Sequence, residues 1–187
     1  ILVFIIVLGY ESISEAFEKI KEGQKADFYK EMAVTDTMTG VYNRSAFEEW
    51  EHETSDYEGY SIVTFDLNNL KWCNDNLGHA AEDAYIQASA RIIKEIFGRH
   101  GKCYRIGGDE FCTVINQKSK KFDIGRHVKQ LRELEKYAEE ELGIKGLNVQ
   151  IACGYAEYDI ETDKNFEDTR SRADKKMYES KRRLKRE

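Results

Sequence analysis

A chain of 187 residues, 41% hydrophobic and 34% charged, has the length for one domain plus an appendage and the polarity of a soluble globular protein. Its net charge of −6 argues against bulk nucleic-acid binding, which needs a basic face to displace counterions. Cys73, Cys103, Cys112 and Cys153 form no C-x-x-C and have no histidine at ligand spacing, which argues against structural zinc and for buried free thiols in a reducing compartment.

Ile1 to Leu8 form an unbroken apolar run, shorter than the about 20 residues a helix needs to cross a bilayer. Two readings stay open, the end of a longer transmembrane helix or a short core strand; the mixed-charge helix beyond Gly9 favours the first. Residues 10–34 read as that helix, with Ile13, Phe17 and Ile20 at the spacing of a coiled-coil seam, which Gln24 and Asp27 interrupt and Gly23 weakens. It either dimerises as a signal helix or packs on its own domain.

Asp36 to Asn43 is a polar loop ending in an Asn N-cap, and the helix Arg44–Thr54 follows with Phe47 and Trp50 on one face. Tyr60–Leu67 is a strand rich in Ile, Val, Thr and Phe; a short helical turn, Leu70–Asn76, and the Gly78-His79 break come next. Ala80–Phe97 is an amphipathic helix burying Ile86, Ala90, Ile93 and Phe97, ended by Gly98 and Gly101. Cys103 to Ile115 reads as a β-hairpin whose turn holds Gly107-Gly108-Asp109-Glu110. Ile124–Leu142 is a helix bearing Val128, Leu131, Leu134 and Ala138; Leu147–Tyr155 is a strand; Phe166–Arg186 is a helix with Phe166, Ala173, Met177 and Leu184 inward. This order predicts an α+β fold, helices against an antiparallel-centred sheet, close to a ferredoxin-like β-α-β-β-α-β core.

The hairpin tip carries the chemistry. Gly107 and Gly108 give backbone freedom and let a ligand approach the main chain, and Asp109-Glu110 set two carboxylates on a rigid element. Asp66 stands near the end of its own strand; if that strand neighbours the hairpin, the carboxylates converge into a set suited to Mg²⁺, which takes one or two protein carboxylates and fills its shell with water and phosphate oxygens. The plainer reading is an acidic turn and a structural strand-end Asp, so the rest of the chain must decide.

It does so through four motifs in order. They are Asp36-x-Met38-Thr39-Gly40-x-x-Asn43-Arg44; Phe65-Asp66-Leu67-Asn68-x-Leu70-Lys71-x-x-Asn74-Asp75-x-x-Gly78-His79; Arg105-Ile106-Gly107-Gly108-Asp109-Glu110-Phe111; and Ala173-Asp174-x-x-Met177-Tyr178-x-x-Lys181. Together they resemble the GGDEF family of diguanylate cyclases, from Asp36 to the C-terminus. The resemblance implies a palm-type, nucleotidyl-cyclase-like sheet over 35–187, behind a linker or signal helix within 1–34. It implies condensation of two GTP into cyclic di-GMP with loss of two pyrophosphates, between two protomers of a homodimer.

By the same resemblance Asp66, Asp109 and the Leu67 carbonyl would ligate Mg²⁺ (or Mn²⁺), and Glu110 would assist at the metal or the 3′-hydroxyl. Asn74 and Asp83 would read guanine; Lys71, Lys181 and Lys185 would meet phosphates; Gly107 and Gly108 would let the substrate approach. A carboxylate at Asp83 can accept from guanine N1–H and the exocyclic amine together, a pairing adenine lacks. Without the motif, Asn74 reads as a turn residue and Asp83 as a first-turn helix acid. Arg105 reads as a brace for the hairpin, and His79 as a brace at a helix start rather than a base.

Some positions depart from the family pattern. Asn68 replaces a usual Asp, at an expected cost to metal affinity or local order, and Glu82 replaces a usual Gly beside the base reader. Gly98 and Gly101 occupy the two positions of the product-binding R-x-x-D, which predicts no product inhibition through that site. The expected setting is the cytoplasmic domain of an inner-membrane-anchored bacterial sensor, any membrane contact lying before residue 9. Two competing readings are a non-catalytic GTP- or dinucleotide-binding module, drawing on Asn68 and Glu82, and an enzyme for a different cyclic dinucleotide, opposed by Asp83.

Overall fold

Strand β1 (Tyr60–Leu67) is buried almost throughout because helices cover both of its faces. Alternation along the strand sends Val63, Phe65 and Leu67 into one core and Ile62 into another. The structure is a computed structural model, and it describes residues 17–23, 25, 28–118 and 122–186. With β2 (Gly101–Arg105), β3 (Glu110–Asn116) and β4 (Ile151–Glu157), β1 forms an antiparallel sheet in the order β2-β3-β1-β4. That is the ferredoxin-like order expected. Both inner strands belong to the predicted site.

Helices α1 (Arg44–Glu53), α2 (Leu70–Leu77), α3 (His79–Phe97), α4 (Ile124–Leu142) and α5 (Phe166–Leu184) complete the domain. On one face α3 and α4 bury Tyr85, Ile93, Phe97, Leu131 and Ala138 against the sheet; on the other α1 and α5 bring Phe47, Phe166 and Ala173. Asn43 caps α1 as expected, its Oδ1 accepting from Ala46 N at 3.0 Å. The Cys73, Cys103 and Cys112 thiols are free and buried, and Cys153 is free and partly buried. The face of α5 is pressed onto a run of small residues in β4. A Cβ on Gly154 would overlap the Ala173 carbonyl and the Met177 amide, so helix and strand meet backbone to backbone.

The observed ends differ from the predicted ones by a residue or two, except in β4. The sequence predicts that strand from Leu147, whereas its ladder starts at Ile151. The reason is that side chains take the hydrogen bonds of the preceding main chain: Val149 N donates to Glu139 Oε1 (2.6 Å), Gln150 N to Tyr85 Oη (2.8 Å) and Ile151 N to the buried Glu135 Oε1 (2.6 Å). Gly101, expected to end a helix, is the first residue of β2.

Tyr85 is completely buried, and its hydroxyl also lies 2.9 Å from the Asn68 carbonyl and 3.0 Å from that of Gln150. One phenol thereby ties the segment after Asp66 to the start of β4. Tyr85→Phe is expected to lower stability by about 1–2 kcal/mol, because the partly buried Gln150 amide loses its acceptor. Urea unfolding checks this; an unchanged midpoint would show that the hydroxyl is dispensable.

The chain divides into two units, Ile1–Thr35 and Asp36–Glu187. The described residues of the first are helical up to Val34, and Phe17, Ile20, Phe28, Tyr29 and Met32 are exposed on it. The apolar run at 1–8 and the seam positions Ile13, Gln24 and Asp27 lie outside the described residues. Among the described residues no helix is long and apolar enough to cross a membrane.

Candidate active site

The register of β1 against β3 sets Asp66 opposite Glu110, and beyond the last rung Leu67 N donates to the Asp109 carbonyl at 3.0 Å. The two strands that carry the predicted carboxylates are thus direct neighbours. Alternation places Asp66 on the α5 side of the sheet, 7% exposed, while Asp109 is half-buried in the turn and Glu110 is exposed.

From α5, Lys181 Nζ reaches Asp66 Oδ1 at 2.5 Å. Burial pushes the Asp66 carboxyl above its ordinary pKa and the nearby charge of Asp109 adds to the push; Lys181 and Lys185 oppose it without cancelling it. Asp109, Lys181 and Lys185 therefore all lie close enough to act on the Asp66 carboxyl. Lys185 itself is the exposed C-cap of α5.

The connection from β2 to β3, Ile106 to Asp109, is held from behind. Arg105 donates from Nη2 to the Gly108 carbonyl (2.8 Å) and from Nε to the Gly107 carbonyl (3.2 Å), while its Nη1 reaches Asp36 Oδ1 at 3.2 Å. Burial pushes Asp36 up, but Thr39 and Arg105 more than offset it and hold the carboxyl below its usual range. Arg105 braces the hairpin as expected; its pairing with Asp36 is not legible in the sequence, since 69 residues separate them.

The reason for the glycines is corrected. Neither Gly107 nor Gly108 has positive φ. A Cβ on Gly107 would come within 2.8 Å of Glu110 Oε2, so Gly107 makes room for that side chain; a Cβ on Gly108 would meet nothing within 4 Å, so the main chain there is open to a ligand.

Lys71, Asn74 and Asp83 sit apart from this cluster. Lys71 is exposed on α2, Asn74 is partly buried with its carbonyl accepting from Gly78 N at 2.9 Å, and Asp83 is exposed on α3. Among the described residues no hydrogen bond or ion pair joins these three to Asp66 or Asp109. Asp83 is not a first-turn acid: α3 starts at His79 and Glu82 is the acid of that turn, where His79 Nδ1 lies 3.3 Å from Glu82 Oε2. Asn69, at φ 61°, turns the chain from β1 into α2. Asn68 is fully buried and its side-chain amide has no partner among the described residues. Its main chain is held on both sides, the amide donating to the Gln150 carbonyl at 2.9 Å and the carbonyl accepting from Tyr85 Oη at 2.9 Å. A cavity of about 390 Å³ opens between α1, the hairpin and α5; of the expected site residues only Glu110 lines it.

The donor set fits a hard cation. Asp66 is a desolvated carboxylate already pressed against an ammonium, and Asp109 hangs from a strand end hydrogen-bonded to Leu67. Among the described residues no cluster of three or more His, Cys, Asp or Glu forms a closed metal cage. Two carboxylates and a carbonyl leave most of a shell to water and substrate, which is how Mg²⁺ is usually held.

A family model described as "Diguanylate cyclase, GGDEF domain" matches residues 33–187. The chain is 33% identical over 126 residues to diguanylate cyclase A of Treponema denticola, covering 66% of this chain and 33% of that protein. It is 34% identical over 128 residues to the cyclic di-GMP phosphodiesterase PdeB of Shewanella oneidensis, 66% of this chain and 15% of that one. The chain thus spans a third or less of these two relatives. Its fold is similar to a crystal structure of the coiled coil and GGDEF domain of DgcB from Caulobacter crescentus in complex with c-di-GMP, with TM-score 0.72, 21% identity and 94% of each chain covered.

Proposed function

The chain belongs to the GGDEF-domain family of diguanylate cyclases, and from that membership we propose that it condenses two GTP into cyclic di-GMP between two protomers. The observation that carries this reading is the β1–β3 register, which brings Asp66, Leu67, Asp109 and Glu110 to one end of the sheet beneath Lys181. Each 3′-oxygen would attack the α-phosphorus of the facing GTP; two P–O bonds form, two to pyrophosphate break, and two protons leave.

Asp66, Asp109 and the Leu67 carbonyl would hold Mg²⁺ or Mn²⁺. When bound, the metal offsets triphosphate charge and acidifies the attacking hydroxyl. Lys181 then exchanges a carboxylate partner for phosphate oxygens, with Lys185 one turn on and Lys71 from α2 adding positive charge. Gly108 leaves the main chain open to the triphosphate. Glu110, exposed at the start of β3, serves the 3′-hydroxyl, while Asn74 and Asp83 read the guanine edge and disfavour ATP.

One nucleotide per site requires a second copy opposite, most simply across a two-fold axis. The domain would act as the cytoplasmic output of an inner-membrane-anchored sensor, a reading supported by the apolar run Ile1–Leu8. Product feedback through the Gly98 and Gly101 positions is not expected: a Cβ on Gly101 would overlap the Val114 carbonyl, so no side chain fits there.

The test is chromatography of products from GTP and Mg²⁺, with and without ATP, across a range of enzyme concentrations. Cyclic di-GMP is expected from GTP alone, with specific activity rising with enzyme concentration and ATP left unincorporated. GTP binding without product, even after fusion to a dimerising helix, would establish the alternative, a signalling module without turnover; a mixed product would overturn the role of Asp83.

A further inference from the structure

We propose that the cavity between α1, the hairpin and α5 binds a guanine base, at a place other than the one assigned to Asn74 and Asp83. Each of the four sequence motifs puts a residue on its wall: Arg44, Phe65, Ile106, and Asp174 with Met177 and Tyr178. The cyclase reading gives none of these six a task. Asn74, Asp83, Asp66 and Asp109 do not line the cavity, while Glu110 does.

The polar groups of this wall are poorly satisfied. Thr64 lines the cavity at 2% exposure, and its hydroxyl makes no well-formed hydrogen bond among the described residues. Near it stands the partly buried carboxyl of Asp174, which burial pushes above its ordinary pKa against the opposing pull of Thr64 and Arg170. Both guanidiniums on the wall are committed, Arg44 to Glu48 at 2.8 Å and Arg170 to Glu167. No ion pair within 4 Å reaches Asp174 among the described residues. A buried hydroxyl and a desolvated, unpaired carboxylate are costly until a ligand completes them.

Guanine has the matching edge. The carboxylate accepts from N1–H and the exocyclic amine together, and a hydroxyl beside that carboxylate can donate to O6, the neighbour of N1 on the ring. Adenine would turn the N1 lone pair towards the carboxylate. Phe47, Ile106 and Met177 supply apolar walls, the exposed Tyr178 stands at the rim, and about 390 Å³ is within the usual size of a small-molecule site. The choice of guanine among donor-bearing heterocycles rests on the proposed reading that this domain handles guanine nucleotides. A mononucleotide and cyclic di-GMP present the same edge.

The protein has three methionines, and of these Met177 lines the cavity, so ε-methyl ¹H–¹³C spectra report its occupancy in the unsubstituted full chain. The test titrates GMP, cyclic di-GMP and AMP without Mg²⁺. The Met177 methyl should move with GMP or cyclic di-GMP, the one that saturates at lower concentration identifying the source, and not with AMP. Asp174→Asn should weaken that binding about tenfold or more, because a charged acceptor is lost, while Asp83→Ala should leave the Met177 shift in place. A methyl unmoved by both guanine nucleotides at millimolar concentration, moved equally by AMP, or silenced by Asp83→Ala would overturn the proposal, as would undiminished binding to Asp174→Asn. Product from GTP with an unmoved Met177 would remove this site and keep the cyclase reading; a moved Met177 without product would do the reverse.

Discussion

Asp109→Ala is expected to lower cyclic di-GMP formation by at least about a thousandfold, since it removes one of two carboxylates proposed to hold the metal over the reacting phosphate. Asp66→Asn should lose as much activity, yet its effect on the fold should run the other way. The fold raises the Asp66 pKa, so the native state holds that proton more tightly than the unfolded chain does, and stability falls as pH rises from the unfolded value to the folded one. Asparagine carries no such penalty. At pH 7, without metal or nucleotide, the Asp66→Asn thermal midpoint should equal or exceed that of the wild type, and the gap should close as pH falls through the raised pKa. Product chromatography beside thermal unfolding at two pH values reads both effects. Turnover by Asp109→Ala would remove it from the metal site, and a destabilised Asp66→Asn would mean that the Lys181 ion pair outweighs desolvation.

Gly154→Ala should be, with Gly101→Ala, among the most damaging single-methyl changes in the domain. Overpacking costs about 1–3 kcal/mol where side chains can yield. Here the added carbon meets the Ala173 carbonyl and the Met177 amide, both held in the α5 backbone, so the upper end or more is expected. About 3 kcal/mol corresponds to a fall of roughly 6–12 °C in the thermal midpoint of a chain this size. Gly23→Ala, where the new carbon would meet nothing within 4 Å, should not lower the midpoint and serves as the control. A Gly154→Ala protein as stable as wild type would show that α5 can lift from the sheet at little cost.

Periodicity made most of the fold legible: the 3.6-residue spacing of Ile86, Ala90, Ile93 and Phe97 and the β-prone run Tyr60–Leu67 gave elements within a residue or two of those observed. The start of β4 was not legible, since the groups that take its hydrogen bonds, Tyr85, Glu135 and Glu139, are distant in sequence and look like ordinary helix residues. In the site, motif spacing named Asp66, Asp109 and Lys181 before their contacts could be known. The link from Arg105 to Asp36 escaped because an exposed-looking Asp in a loop carries no mark of its partner. Of the two reasons offered for the glycines, backbone freedom does not apply, because the sequence cannot show that Gly107 yields space to Glu110 rather than bending the chain, while Gly108 does leave the main chain open.

The position of β1 and β3 inside the sheet bears on how the enzyme could be switched. Amides on inner strands exchange with solvent only when much of a domain opens, whereas edges and termini open at little cost. Asp66 lies within an inner strand and the turn after β2 is tied to it where Leu67 N donates to the Asp109 carbonyl, so their amides are expected to exchange slowly. Loosening or tightening this site would cost nearly as much as unfolding the domain. Regulation by local melting is therefore closed to it. With turnover between two protomers as proposed, what a signal can vary at small cost is how often the two half-sites meet, and hydrogen exchange should show the site amides equally protected in the resting and the stimulated protein.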